Sequence, residues 1–284
     1  MTTPYTESTT RRVEAGNGIQ YAYRDTGTGT VPLILFQHFR GNLDNWDPAL
    51  IDALAANRRV ITFDNAGVGG SSGRTPDTIA AMARDAIAFV GALQVERADL
   101  LGFSIGSFVA QEITLTRPAL VRRLILASSA PQGAVGMHGW APEVIGAVGA
   151  PRPDPAGVLG VFYALTDSSR AAGTQAFGRM KARTDGRDEA TTWDTRLAQY
   201  DAVCHWGIPN HAMLQRVSAI DVPVFVANGD HDPMILPRYS HLLAGLIPEA
   251  TVKIYPDSAH GFLFQHHTEF AADVDAFLGA PSHS

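Results

Sequence analysis

The sequence predicts an α/β protein in which a parallel sheet is covered by helices on both faces and interrupted by a helical insertion. Three observations predict it. Short apolar, β-branched runs recur along the chain with amphipathic, helix-length stretches between them, the pattern of strands buried on both faces and joined by crossover helices. The loops between strand and helix candidates are a few residues long, as in compact α/β units. From Pro131 to Val217 the alternation stops. The core is therefore expected over 1–130 and 218–284, with 131–217 as an inserted helical cap.

The strand candidates in order are Leu33 to Phe36, Val60 to Phe63, Asp99 to Gly102, Leu124 to Ala127, Val222 to Ala227 and Thr251 to Tyr255. Between Thr78 and Leu93 the residues Ile79, Met82, Ala86, Phe89, Val90 and Leu93 recur every three or four positions, which gathers them on one helical face. Phe270, Val274 and Phe277 do the same near the C-terminus. The insertion is punctuated by "GAPRPDPAG" and holds Trp140, Trp193 and Trp206 together with Phe162, Tyr163, Phe177 and Tyr200. Singly these aromatics could pack the insertion's own core; as a group they suggest an apolar surface facing a pocket, with Trp140, Phe162 and Trp206 as candidate lining.

With 284 residues the chain can bury a sizeable core, and 45% hydrophobic against 18% charged residues is ordinary for a globular protein. The formal charge of −6 and the absence of any Lys/Arg run longer than Arg122-Arg123 argue against nucleic acid as a partner. One cysteine, Cys204, excludes an internal disulfide and reads as a packed apolar side chain. The opening MTTPYTESTTRR has no apolar core of a leader, and no stretch approaches a membrane span, so a cytoplasmic protein acting on a small molecule is expected. The oligomeric state stays open, a homo-oligomer included.

In "DLLGFSIGSFVAQEI" a strand candidate ends, and a helix begins, at Gly102-Phe103-Ser104-Ile105-Gly106. Gly-x-Ser-x-Gly recurs by chance, but here it stands at a strand–helix junction, where a sharp turn would lift the Ser104 hydroxyl above the sheet and admit only small residues two places either side. A serine nucleophile needs a base, and the base an orienting acid. Downstream, "VPVFVANGDHDPMI" places Asp230 and Asp232 just past a strand end, where open parallel sheets bind ligands. Asp232 is preferred as the acid; Asp230, nearer the strand, is placed to cap or brace the turn. His260 follows 28 residues later in "DSAHG", one strand–helix–strand unit on, so the two loops should be neighbours. Other histidines have plainer readings: His266 and His267 begin a helix, His138, His205 and His211 belong to the insertion, and His283 lies in the tail. No His or Cys spacing suggests a metal site.

An oxyanion hole is expected from the backbone amides of Phe39, in the loop after "LILF", and of Ile105. Arg40 reads as a surface ion pair with Asp44 or, more pointedly, as a contact to a substrate carboxylate. "FDNAGVGGSSG" lacks the third glycine of a dinucleotide loop, Ser72 standing in its place, and reads as a tight loop.

Taken in order, "PLILFQHFRGNLDNWDP", "FDNAGVGGSS", "LLGFSIGSFVAQEI", "VPVFVANGDHDPMI" and "KIYPDSAHGFLFQ" resemble the α/β-hydrolase superfamily, in its haloperoxidase-like and carboxylesterase branch, over nearly the whole chain. The resemblance implies a mostly parallel eight-stranded sheet, a helical cap inserted after the sixth strand and no cofactor. It implies Ser104 as nucleophile, His260 as base and Asp232 as acid, with Phe39 and Ile105 at the oxyanion hole. One departure stands out: Gln37-His38 occupies the place of the usual His-Gly, and losing that glycine constrains the loop. The expected reaction is hydrolysis of a small ester or lactone. Perhydrolysis and carbon–carbon bond hydrolysis use the same serine in similar proteins, and a ligand sensor that keeps the pocket without turnover is the non-enzymatic alternative.

Overall fold

A computed structural model describes residues 3–281; His283 lies outside them. Eight strands form one sheet: β1 (Arg11–Glu14), β2 (Gln20–Thr26), β3 (Leu33–Phe36), β4 (Val60–Phe63), β5 (Ala98–Phe103), β6 (Val121–Ala127), β7 (Val224–Gly229) and β8 (Ala250–Tyr255). Their order across the sheet is β1-β2-β4-β3-β5-β6-β7-β8. The first two pairings, β1 with β2 and β2 with β4, are antiparallel; all the others are parallel. Every residue of β3, β4, β5 and β7 is buried, because helices cover both faces of these inner strands, and this is why they read as unbroken apolar runs.

Helices α1 (Pro48–Ala55), α2 (Ile79–Ala92) and α3 (Ile105–Thr116) connect the first parallel strands. The sixth and seventh strands are joined by five helices: α4 (Pro142–Val148), α5 (Pro155–Phe162), α6 (Asp167–Met180), α7 (Trp193–Trp206) and α8 (His211–Gln215). Helix α9 (Pro237–Leu246) precedes β8, and α10 (Phe262–Gln265) and α11 (His267–Gly279) close the chain. In the insertion, polar residues set the helix starts: the side chains of Asp154, Thr166, Thr192 and Asn210 each accept a hydrogen bond from a first-turn amide of α5, α6, α7 and α8. Among the described residues no helix is long and apolar enough to cross a membrane.

The antiparallel β1–β2 hairpin is not an apolar run and has no place among the strand candidates. Its first strand is largely exposed, while its second buries Tyr21 and Ala22 on opposite faces and half-buries Tyr23 and Asp25. The turn Gly16-Asn17-Gly18, with Gly18 at φ 76°, carries the signal that identifies it.

The insertion is fastened to the core through buried charge. Arg24 in β2 pairs with Asp44 at 2.7 Å, and the second Asp44 oxygen accepts the Asp188 amide from the loop between α6 and α7 at 2.8 Å. Asp44 therefore has a different partner from the one expected: Arg40 is not its counter-ion. Asp64, just after β4, accepts the amides of Leu43 and Gly70, both at 2.9 Å, and lies against the Asp188 carboxyl. Burial, then the Asp188 charge, holds the Asp64 carboxyl well above the ordinary carboxylate range. Since folding raises this acid's pKa, its contribution to stability is complete below about pH 4 and is lost as pH rises through the raised folded value. The unfolding free energy from urea denaturation is accordingly expected to fall more between pH 5 and pH 8 for the native chain than for Asp64→Asn, by at most about 1.4 kcal/mol per pH unit for one proton.

Candidate active site

Ser104 occupies the junction between β5 and α3 with φ 57° and ψ −126°, a backbone conformation sterically costly for any residue but glycine. The turn is enforced by close approach on both sides. A Cβ on Gly102 would lie 2.7 Å from the Ser107 amide nitrogen, and one on Gly106 would lie 2.7 Å from the Gln37 carbonyl oxygen. Gly106→Ala is thus expected to push α3 away from the loop after β3, at a cost of about 1–3 kcal/mol in urea denaturation, with most activity lost. Serine at a helix start ordinarily spends its side chain on capping; Ser104 makes no such bond.

Asp232 and His260 sit in the loops after β7 and β8, at the same C-terminal edge of the parallel strands as Ser104. His260 Nδ1 is 2.8 Å from Asp232 Oδ2, and both side chains are essentially without solvent contact. The other carboxylate oxygen accepts the amides of Met234 at 2.8 Å and Ile235 at 2.9 Å, so the buried charge is fully partnered. Asp230 does something else: its carboxylate accepts the amides of Asp257 and Ser258, both at 3.1 Å, and so ties the loop after β8 to the end of β7. Two residues not singled out in the sequence add to this framework. Ser128, at φ 47° after β6, donates to Asn228 at 2.9 Å, and Asn228 in turn donates to the Ile235 carbonyl at 2.9 Å, bracing the Asp232 loop.

His260 Nε2 is buried with no hydrogen-bond partner. The structure thus brings His260 and Asp232 into direct contact and leaves the Ser104 hydroxyl and His260 Nε2 unbonded to each other. The imidazole lies 5.1 Å, ring to ring, from Phe103, the residue preceding Ser104, and 5.3 Å from Phe162 at the end of α5, which meets it edge-on at 89°.

Among the described residues neither the Phe39 nor the Ile105 amide has an acceptor; Ile105, at the first position of α3, has none within its helix. The loop that carries Phe39 is held without the missing glycine. Gln37 accepts the His38 amide at 2.9 Å and donates to the Asn42 carbonyl at 3.0 Å, while Arg40 takes up the left-handed backbone at φ 63°. The insertion grips the same loop: the Arg40 amide donates to Gln199 at 2.7 Å, and its guanidinium donates to the carbonyls of Val148 at 3.3 Å and Ala150 at 2.7 Å. These are the carbonyls at the C-terminal end of α4, where a cation is favoured.

A cavity of about 370 Å³ opens beside this loop, lined by His38, Phe39, Arg40, Val148, Val158 and Phe162 among others. Of the candidate pocket residues, Arg40 and Phe162 therefore line it. Trp140 packs edge-on against Phe39 at 5.0 Å, behind the lining. Trp206 stacks on Phe108 of α3 at 5.1 Å and donates to the Ala130 carbonyl, fixing the insertion to the core. Among the described residues no group of three His, Cys, Asp or Glu side chains is arranged to hold a metal ion.

The alpha/beta hydrolase fold family matches residues 31–267. An alpha/beta hydrolase fold protein from Chitinophaga pinensis superposes with a TM-score of 0.92 at 37% identity, covering 98% of this chain and 100% of that one. Among curated proteins, a putative carbamate hydrolase RutD of Rhizobium rhizogenes is 38% identical over 96 residues, 33% of this chain. A putative non-heme bromoperoxidase BpoC of Mycobacterium tuberculosis is 37% identical over 109 residues, 38% of this chain. The matched stretches span only 36% and 41% of the length of these two relatives.

Proposed function

The chain belongs to the alpha/beta hydrolase fold family, and from that premise we propose that it is a serine hydrolase cleaving a small carboxylic ester or lactone through an acyl-enzyme. The observation that carries the reading is a serine on a strained strand-to-helix turn whose hydroxyl is spent on no cap, beside a buried His260–Asp232 pair whose outer nitrogen is unspent.

In this mechanism Ser104 Oγ attacks the carbonyl carbon while His260 Nε2 takes its proton, and Asp232 stabilises the imidazolium that forms. The developing oxyanion is received by the amides of Phe39 and Ile105. Collapse of the tetrahedral adduct expels the alcohol, protonated by His260, and leaves the acyl group on Ser104. Water, deprotonated by His260, then attacks the acyl carbon; the acid leaves and the serine regains its proton. The segment 131–217 acts as the cap over this chemistry, since Phe162 supplies one wall of the imidazole's surroundings.

A fluorophosphonate probe tests the reading. Labelling confined to Ser104 together with turnover of short p-nitrophenyl esters supports it; a chain that takes no label and hydrolyses none of them overturns it. Arg40 has no carboxylate in ion-pair range among the described residues, which favours an acidic substituent on the substrate. Arg40→Ala is then expected to cost activity on anionic esters more than on neutral ones, and equal losses would count against that contact. Likeness to a bromoperoxidase favours a second reading of the deacylation step, in which hydrogen peroxide replaces water and releases a peracid. Bromide oxidation that requires both peroxide and a carboxylic acid distinguishes it.

A further inference from the structure

The mechanism leaves a second imidazole unused. His38 lines the 370 Å³ cavity and its ring packs on the same two phenyl rings as His260, 5.3 Å from Phe103 and 5.3 Å from Phe162. Its Nδ1 is 2.9 Å from the Phe39 carbonyl oxygen. A carbonyl only accepts, so Nδ1 carries the ring proton and Nε2 is left with a lone pair. That nitrogen has no hydrogen-bond partner among the described residues.

We propose that His38 Nε2 accepts a hydrogen bond from the substrate, and that the preferred acyl group therefore carries a hydroxyl one or two carbons from the scissile carbonyl. The inference rests on the hydrolase reading above. His38 directly precedes Phe39, whose amide receives the carbonyl oxygen in that reading, and both line the same cavity, so a donor reaching His38 sits close to that carbonyl. The imidazole is suited to accept rather than donate: burial, then the neighbouring His260, lowers its pKa to about 4, so it is neutral near neutral pH. A neutral ring also avoids opposing the imidazolium that forms on His260 during attack.

Two pairs of methyl esters test this by titration of the acid released: 3-hydroxybutanoate against butanoate, and 2-hydroxypropanoate against propanoate. The native enzyme is expected to favour at least one hydroxy ester over its partner by about tenfold in kcat/KM, the size of one neutral hydrogen bond. His38→Asn keeps an amide donor where Nδ1 stood, for the Phe39 carbonyl, and offers nothing at Nε2. It should lose the preference, lowering kcat/KM on the hydroxy esters more than on the plain ones. His38→Gln restores an acceptor near Nε2 and should regain part of the preference, even where its plain-ester rate falls. A role confined to bracing the loop predicts the reverse, with Asn harmless on every ester and Gln damaging all equally, and that result overturns the inference. Plain esters hydrolysed with no preference in the native enzyme overturn it while leaving the hydrolase reading intact; no turnover of any ester overturns both.

Discussion

Ser104→Ala is expected to lower kcat by about a million-fold while leaving thermal stability within a degree or two of the native chain. The two halves of that outcome have separate causes. The rate falls because the proposed nucleophilic oxygen is removed; what survives reflects binding and the two oxyanion amides alone. Stability is spared because the Ser104 hydroxyl caps no amide of α3, so truncation breaks no hydrogen bond there. Alanine also keeps a Cβ, and with it the same steric cost at φ 57°. Steady-state kinetics on a p-nitrophenyl ester, paired with a thermal melt, check both halves; a loss of activity explained by unfolding would remove the inference that this serine is kept for chemistry.

Asp232→Asn is expected to cost about 10⁴ in kcat, again with the fold intact. Asp232 holds three donors, the amides of Met234 and Ile235 on Oδ1 and His260 Nδ1 on Oδ2. Asparagine has only one acceptor oxygen. Keeping it on the two amides turns the NH₂ toward His260, whose Nδ1 must then accept. The ring proton moves to Nε2, the atom that has to take a proton from Ser104, and the base is disabled by its tautomer. A reduction of less than tenfold would mean that Asp232 braces its loop and does not govern the imidazole.

How much of this was readable from the chain depends on where each residue finds its partners. The inner strands are apolar on both faces, so β3 and β4 coincide with the predicted runs to the residue. The β1–β2 hairpin is largely exposed along β1 and carries a buried arginine, Arg24, in β2, so its residues form no apolar run for a search to find. His260 and Asp232 were legible as neighbours because adjacent parallel strands, β7 and β8, deliver both loops to one edge. Spacing along the chain suggests Asp44 as an ion-pair partner for Arg40, and the structure gives Asp44 another partner. The segment between them is a turn followed by a short 3₁₀ stretch, and Asp44 is claimed by Arg24 from a neighbouring strand. Trp206 was grouped with the pocket on composition, whereas its partner, Phe108, is fixed only by how α7 lies over α3. Gln37-His38 was visible as a departure; that Gln37 bonds both His38 and Asn42, with Arg40 absorbing the positive φ, depends on the folded loop.

The proposed mechanism requires the Ser104 hydroxyl, His260 Nε2 and the amides of Phe39 and Ile105 to converge on one reacting carbonyl. A crystal structure of the protein after reaction with a fluorophosphonate tests this convergence. Phosphorus is expected to be bonded to Ser104 Oγ, with one phosphonyl oxygen about 3 Å from both amides and His260 Nε2 within hydrogen-bond reach of Oγ or the remaining ester oxygen. An adduct on another residue, or one on Ser104 whose oxygen points away from both amides and from His260, would contradict it.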